Sequence, residues 1–358
     1  MKRISIILLS AATSFTVACS NDSDNPTDGD DQTQDGVEPG DEWERELAKR
    51  EVDYNAALRT ASLRLVGDLP TMTEINRVKD AGDLAAQKLA YEELLRDYMS
   101  RPAFARQMFY FWRDTFQMGE TAEMDTAPAF AAMLSVQDRP FTELFTASTG
   151  ACPTFNAGTG VFTPADCTGN GPKVGVLTNQ GVMKHYYGNF AFRRVKWVQE
   201  TFDCAKFPID LTGAPVEVGG ATPYTGSFPH DSIAGTANGG RVNFREAVAV
   251  QCAHCHQHLN HIAPLFANYD QNGAYQNQIA VRTPLPGEPR ALAADPDVAK
   301  CSVARIWNWA MGKGDIVDLL HEVPAETIQA QVDSFTQSGQ KMKDLIFAVY
   351  ASEDFAKF

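Results

Sequence analysis

From Trp43 onward the apolar residues recur mostly at three- and four-residue spacing, the period of helices that bury one face. Thr71-Met72-Thr73-Glu74 has the spacing of a capping box directly after Pro70, which predicts a helix start. Leu84–Met99 places Leu84, Tyr91, Leu94, Leu95 and Tyr98 on one stripe, with acids and Arg96 elsewhere. Pro102 stands where a first helical turn tolerates it. Behind it Phe104, Met108, Phe111, Trp112, Thr115 and Phe116 form an aromatic face, read as core. Further helices are predicted over Phe190–Phe202, Asp297–Met311, Ala325–Ser338 and Gln340–Ala356. The last carries Met342, Leu345, Ile346, Val349 and Tyr350 on one face. There is no internal repeat and no alternating run long enough for a sheet-based fold. The predicted class is mainly α, helical domain(s) with long irregular loops.

Two stretches break the helical pattern. Thr146–Lys173 reads as a loop insertion flanked by Cys152 and Cys167. Pro208–Gly240 is rich in Gly, Pro, Thr and Ser without a period, a long loop with room for a short hairpin. Loops of that length are uncommon unless they serve a site. This one leads into a cysteine-rich motif.

The amino-terminal end has a different character. Lys2 and Arg3 precede an apolar run, Ile4–Ala18, too short for a stable span and expected to be a signal peptide. It ends Thr16-Val17-Ala18-Cys19, which resembles a bacterial lipobox with Cys19 as the acylated residue, although Thr16 stands where that pattern prefers Leu. Ser20–Glu42 contains nine acids, no base and only Val37 as a sizeable apolar residue. It cannot bury enough surface to offset its ordering entropy, so it is expected to be a disordered tether reaching roughly 25–30 Å. The expected organisation is a lipoprotein signal peptide at 1–18 and a lipidated acidic tether at 19–42. An amino-terminal helical domain at 43–146 and a second helical domain with loop insertions at 147–358 follow.

Charge changes this picture little. Of the formal −14, the leader contributes +2 and the tether −9, leaving −7 for Trp43–Phe358. Without a basic face, nucleic acid is not an expected partner. Membrane contact is expected through the lipid alone.

The chemistry lies in Cys252-Ala253-His254-Cys255-His256, a C-x-x-C-H motif. Two thiols three apart on a helical turn reach both vinyl groups on one side of a porphyrin, and the next histidine can swing beneath the ring to ligate iron. One covalent haem c on Cys252 and Cys255, with His256 as proximal ligand, is the first reading. Zinc is the rival, since His254, His258 and His261 crowd the same stretch. Zinc sites usually place their second ligand pair a dozen or more residues away. A plain disulfide is the third reading. Otherwise His254, His258 and His261 are surface residues or neighbours of haem propionates. A sixth iron ligand must come from the opposite face: Met183 or His185, then Met311, Met342, His230 and His321. Core packing is the default for each methionine, and a five-coordinate iron would leave room for a small ligand.

The seven cysteines then divide. With Cys19 lipidated and Cys252 and Cys255 on haem, four remain, an even number in an oxidising compartment. Cys152 with Cys167 would close a loop worth about 3 kcal/mol in the chain-entropy model. Cys204 with Cys301 follows by elimination.

Three ordered blocks give the body a resemblance to cytochrome-c-like proteins of planctomycetes, myxobacteria and some gammaproteobacteria. The first is Arg64-Leu65, Leu69-Pro70-Thr71 and Glu74, then Tyr91–Leu95, Ser100–Phe104 and Phe111-Trp112. The second is Gly175–Thr178, Arg194–Trp197, Cys204, the C-x-x-C-H motif, Asn268–Asp270 and Gly273; here Val195 replaces the family's Gly and Tyr269 its Phe. The third is Cys301–Arg305, Met311-Gly312, Leu345-Ile346 and Ser352–Phe355. The resemblance implies cytochrome-c-like helices around the motif and haem binding, without an established reaction or a distal ligand. The expectation is a monohaem electron-transfer lipoprotein in the periplasm or at the cell surface, lipid-anchored in the bacterial cell envelope, with an unknown redox partner; Ser20 after Cys19 resembles sorting to the outer membrane. The alternatives are a haem enzyme of peroxidase or oxygenase type with an open iron, and a non-redox binding or scaffold lipoprotein.

Overall fold

The computed structural model describes residues 45–188, 192–206, 263–266, 268–276, 292–317 and 322–358. The leader, Cys19, the tether, the long loop at 208–240 and the C-x-x-C-H motif lie outside the described residues. The chain divides into two units, Met1–Lys49 and Arg50–Phe358. Of the first, residues 45–49 form an exposed helical turn.

The second unit is mainly helical. Helix α1 (Tyr54–Leu65) starts at Asp53, whose Oδ1 accepts from the Asn55 and Ala56 amides at 2.8 and 3.0 Å. Helix α2 (Met72–Lys79) has the predicted capping box: the Thr71 hydroxyl accepts from the Glu74 amide, and Glu74 accepts from the Thr71 amide. Helix α3 (Leu84–Tyr98) buries Tyr91, Leu94, Leu95 and Tyr98 as predicted, but Leu84 in its first turn is exposed. Helix α4 (Pro102–Phe116) buries Phe104, Met108, Trp112 and Phe116 and ends at Gln117 in the left-handed region.

Against α4 lies α5 (Thr126–Val136), whose residues from Ala127 to Ser135 are all buried. A helix apolar on every side has no stripe to betray it, which is why periodicity does not predict it. Its one polar side chain in that run is satisfied: Trp112 Nε1 donates to Ser135 Oγ at 3.0 Å, and Ser135 donates to the Ala131 carbonyl at 2.8 Å.

After the short helix α6 (Glu143–Thr146), the insertion forms a small antiparallel hairpin, β1 (Thr154–Asn156) with β2 (Val161–Thr163), Phe155 facing Phe162. Cys152 and Cys167 are bonded across its base. Helices α7 (Gln180–His185), α8 (Phe192–Phe202), α9 (Pro296–Ala310) and α10 (Ala325–Gln337) follow. The single helix expected over Gln340–Ala356 is two: α11 (Met342–Tyr350) and α12 (Glu353–Ala356). Ser352 divides them because its hydroxyl accepts from the Phe355 amide at 3.2 Å and starts a new helix.

The helices on either side of residue 146 pack on one another: α11 lies against α3 and α5, and α9 against α1. The Tyr91 hydroxyl donates to the Tyr350 carbonyl at 2.8 Å, both residues fully buried. The ends of the unit also meet. Glu51 and Phe358 exchange backbone hydrogen bonds of 3.1 and 3.0 Å, and the Asp53 amide donates to the Ala356 carbonyl at 2.9 Å.

One tight approach offers a test of this packing. Gly175 opens a 3-10 turn at φ +49°, and a Cβ there would lie 1.9 Å from the Leu144 carbonyl oxygen. A Gly175→Ala protein must shift backbone on both sides while also holding a left-handed residue. We expect a loss of about 2 kcal/mol or more, read as a lowered urea midpoint with an unchanged slope.

Candidate functional site

Helix α8 carries apolar residues Phe192, Val195, Val198 and Phe202 on its buried face, and Arg194 lies on that face with them. Arg194 is 1% exposed. Its guanidinium meets a cradle of four backbone carbonyls. Nε donates to Met183 at 3.0 Å, and Nη2 donates to the same oxygen. Nη1 donates to Phe266 at 2.9 Å and Tyr269 at 3.0 Å, and Nη2 to Asp270 at 3.1 Å. Burial pulls its pKa down to about 10, against Tyr187, Tyr269 and Asp270, so it remains charged at neutral pH.

The carboxylate of Asp270 turns away to shape its own loop. Oδ1 accepts from the Asn272 and Ala274 amides at 2.8 and 3.0 Å, and Oδ2 from Gln276 Nε2 at 2.7 Å. Gly273, at φ +71°, lets this loop sit on α7: a Cβ would fall 2.3 Å from the Gln180 carbonyl oxygen. The segment 263–276 that Arg194 grips begins seven positions after His256.

At the other end of α8, Cys204 is bonded to Cys301 of α9. Arg305, one turn after Cys301, is 6% exposed. Its Nη1 donates to the Thr201 carbonyl and its Nη2 to the Glu200 carbonyl at 3.2 Å and Asp315 Oδ1 at 3.3 Å. Arg194 and Cys204 thus tie α8, which precedes the C-x-x-C-H motif in sequence, to segments that follow it.

Beside Cys204, Asp203 has its Oδ1 shut off from water without a hydrogen-bond partner. Burial, reinforced by Asp295 and Asp297, pushes its pKa up to about 7.

The residues singled out from sequence fall as follows. Cys152 is bonded to Cys167 and Cys204 to Cys301, the two pairings expected. Met183 is fully buried in α7; His185, at the end of the same helix, is half-buried with its ring edge-on to Tyr186 at 4.6 Å. Met311 caps α9, half-buried, and Met342 is fully buried in the first turn of α11. Cys19, Cys252, Cys255, His256, His230 and His321 lie outside the described residues, as do His254, His258 and His261. Among the described residues no three His, Cys, Asp or Glu side chains gather as a metal site. One cavity of about 210 Å³ is lined by Tyr186, Arg193, Trp197, Arg305 and Asp315, and another of about 200 Å³ by Lys173, Gln180, Tyr269 and Tyr275. Both fall below the roughly 300 Å³ typical of small-molecule sites. No helix among the described residues is long and apolar enough to cross a membrane.

Sequence reasoning named Arg194 and Arg305 only within the resemblance, without a role, and passed over Asp203. The available signal for Arg194 was its place on the apolar stripe of α8, four residues before Val198. No family model, curated protein or solved structure matches this chain.

Two predictions follow from these buried charges. Arg194→Lys keeps a cation but loses the planar fork, leaving buried carbonyls unpaired. Stability should fall by about 2 kcal/mol or more in urea unfolding, with limited proteolysis cutting first within 263–276. For Asp203, a raised native pKa means the folded state binds more protons than the unfolded state between about pH 4 and pH 7. Its contribution to stability therefore falls as pH rises through that window. In urea unfolding, Asp203→Asn should match the parent's stability near pH 4 and exceed it at pH 8, by an amount on the order of a few kcal/mol.

Proposed function

We propose that this chain is a lipid-anchored, monohaem c-type cytochrome-like protein that transfers electrons at the bacterial cell envelope. The observation that carries this reading is the motif Cys252-Ala253-His254-Cys255-His256 in a chain whose first residues read as an export signal ending at Cys19. The donor set fits the group: two thiols at the right spacing for two thioether bonds, and an imidazole directly after them for the iron. The haem would supply a one-electron ferrous–ferric couple. The two disulfides of the body support an oxidising compartment, where haem attachment to reduced thiols takes place on the export side of the membrane.

The body's own part is mechanical. Arg194 fixes the backbone shortly after the motif, and the Cys204–Cys301 bond closes the chain around it in sequence. Met183 and His185 on α7, and Met311, stand as distal-ligand candidates; a methionine there would raise the potential and a histidine lower it.

A second reading draws on size. About 315 residues follow the tether, far more than one haem requires, which favours a haem enzyme of peroxidase or oxygenase type with an open iron position. A scaffold lipoprotein holding zinc or a disulfide at the motif is the third reading.

Protein matured in a host competent for c-type haem attachment should give a pyridine haemochrome spectrum of one covalent haem per chain. Cys252→Ala with Cys255→Ala should abolish it. Unchanged haem stoichiometry in that double variant would refute the haem reading. Fast cyanide binding by the ferric protein would favour the enzyme over the carrier. Cys19→Ala should move the protein from the membrane fraction to the soluble envelope fraction.

A further inference from the structure

We propose that Cys204–Cys301 is a thiol–disulfide exchange site, opened by a dithiol reductant that attacks Cys204 and expels Cys301. This does not depend on the haem reading. The two disulfides sit in different chemical surroundings. The sulfur of Cys152 accepts a hydrogen bond from a neutral amide, Asn179 Nδ2, at 3.2 Å. The sulfur of Cys301 lies 3.6 Å from Nη1 of Arg305, a guanidinium held in place by Thr201, Glu200 and Asp315. A fixed cation beside one sulfur favours that sulfur as a thiolate, against the desolvation that burial imposes. A thiol with a lowered pKa is the better leaving group in exchange.

Access gives the reaction its direction. Cys301 is 3% exposed, whereas Cys204 is half-buried at the end of α8, next to half-buried Ala205 and exposed Lys206. A nucleophile from outside therefore meets Cys204, and the bond breaks toward the sulfur that Arg305 faces. Cys204 also holds φ +53°, a left-handed backbone that few non-glycine residues adopt.

The step balances as follows. A thiolate of the reductant attacks Cys204 Sγ, forming a mixed disulfide and releasing Cys301 as a thiolate beside Arg305. The reductant's second thiolate then attacks its own sulfur in that mixed disulfide and releases Cys204. Two electrons pass from the dithiol to the Cys204–Cys301 pair, and the dithiol leaves as a disulfide. Its two protons go to Cys204 and to solvent, Cys301 remaining ionised. The covalent loop that opens spans 97 positions and contains the C-x-x-C-H motif.

The test uses the purified, mature full chain under native conditions in dithiothreitol buffers at pH 7. Thiols are trapped with iodoacetamide and located by peptide mass mapping. Cys204 and Cys301 should become alkylated at least roughly tenfold faster than Cys152 and Cys167, and Arg305→Gln should remove most of that difference. With a monothiol reductant the trapped adduct should sit on Cys204. Opening of both pairs together, only as the protein unfolds, or an adduct on Cys301, would overturn the proposal. Because Arg305→Gln could fail to fold, Cys204→Ser provides a second readout. The freed Cys301 should alkylate with a midpoint below the roughly 8.5 of an ordinary thiol, and a midpoint at or above that value refutes the role given to Arg305.

Discussion

A buried guanidinium that spends its hydrogen bonds, among the described residues, on main-chain carbonyls is the constraint on which the packing of α7, α8 and the Asp270 turn depends. Arg194 answers its charge with four main-chain carbonyls drawn from α7 and from 263–276. Such a charge is costly to take out of water unless every donor is met. Two of those carbonyls, Phe266 and Asp270, also accept from the Tyr269 and Gly273 amides at 3.1 Å each, so the guanidinium joins turns that the backbone itself closes. Arg194 thereby ties α7, α8 and the Asp270 turn to one another. Gly273 is demanded by the same arrangement, because the turn must press against the Gln180 backbone.

Much of the helical frame was legible from periodicity and end signals. Thr71 and Glu74 marked the start of α2, and Phe104, Met108, Trp112 and Phe116 marked the buried face of α4, because one-sided burial leaves a period in the sequence. Burial on all sides leaves none, and α5 passed unseen for that reason. The break at Ser352 was hidden because an apolar period continued through it from α11 to Phe355, while a single hydroxyl cap decided the boundary. Short hairpin strands such as β1 and β2 are fixed by their turn and by the Cys152–Cys167 closure rather than by a long alternation.

For the candidate site the balance is different. Cysteine arithmetic left an even remainder of four thiols; Cys152 and Cys167 were paired by the loop they flank, and Cys204 and Cys301 by elimination, as the structure has them. The methionines offered as distal ligands divide by environment: Met183 and Met342 are fully buried, and Met311 is half-buried at a helix end. The Arg194 cradle could not be read because its partners are carbonyls, and every residue type has one. A side-chain partner leaves a complementary letter in the sequence; a backbone partner leaves nothing.

The pairing of Glu51 with Phe358 has a consequence for how the molecule is assembled. α1 rests on α12 and α9, and α3 on α11, so the first helices cover their apolar faces with the last residues of the chain. Folding cannot run to completion in step with emergence from the amino-terminal end. The early helices must wait, with apolar surface uncovered, until Phe358 has arrived to close the ring. Removing Glu353–Phe358 would therefore be felt first at α1, some three hundred residues earlier in the sequence.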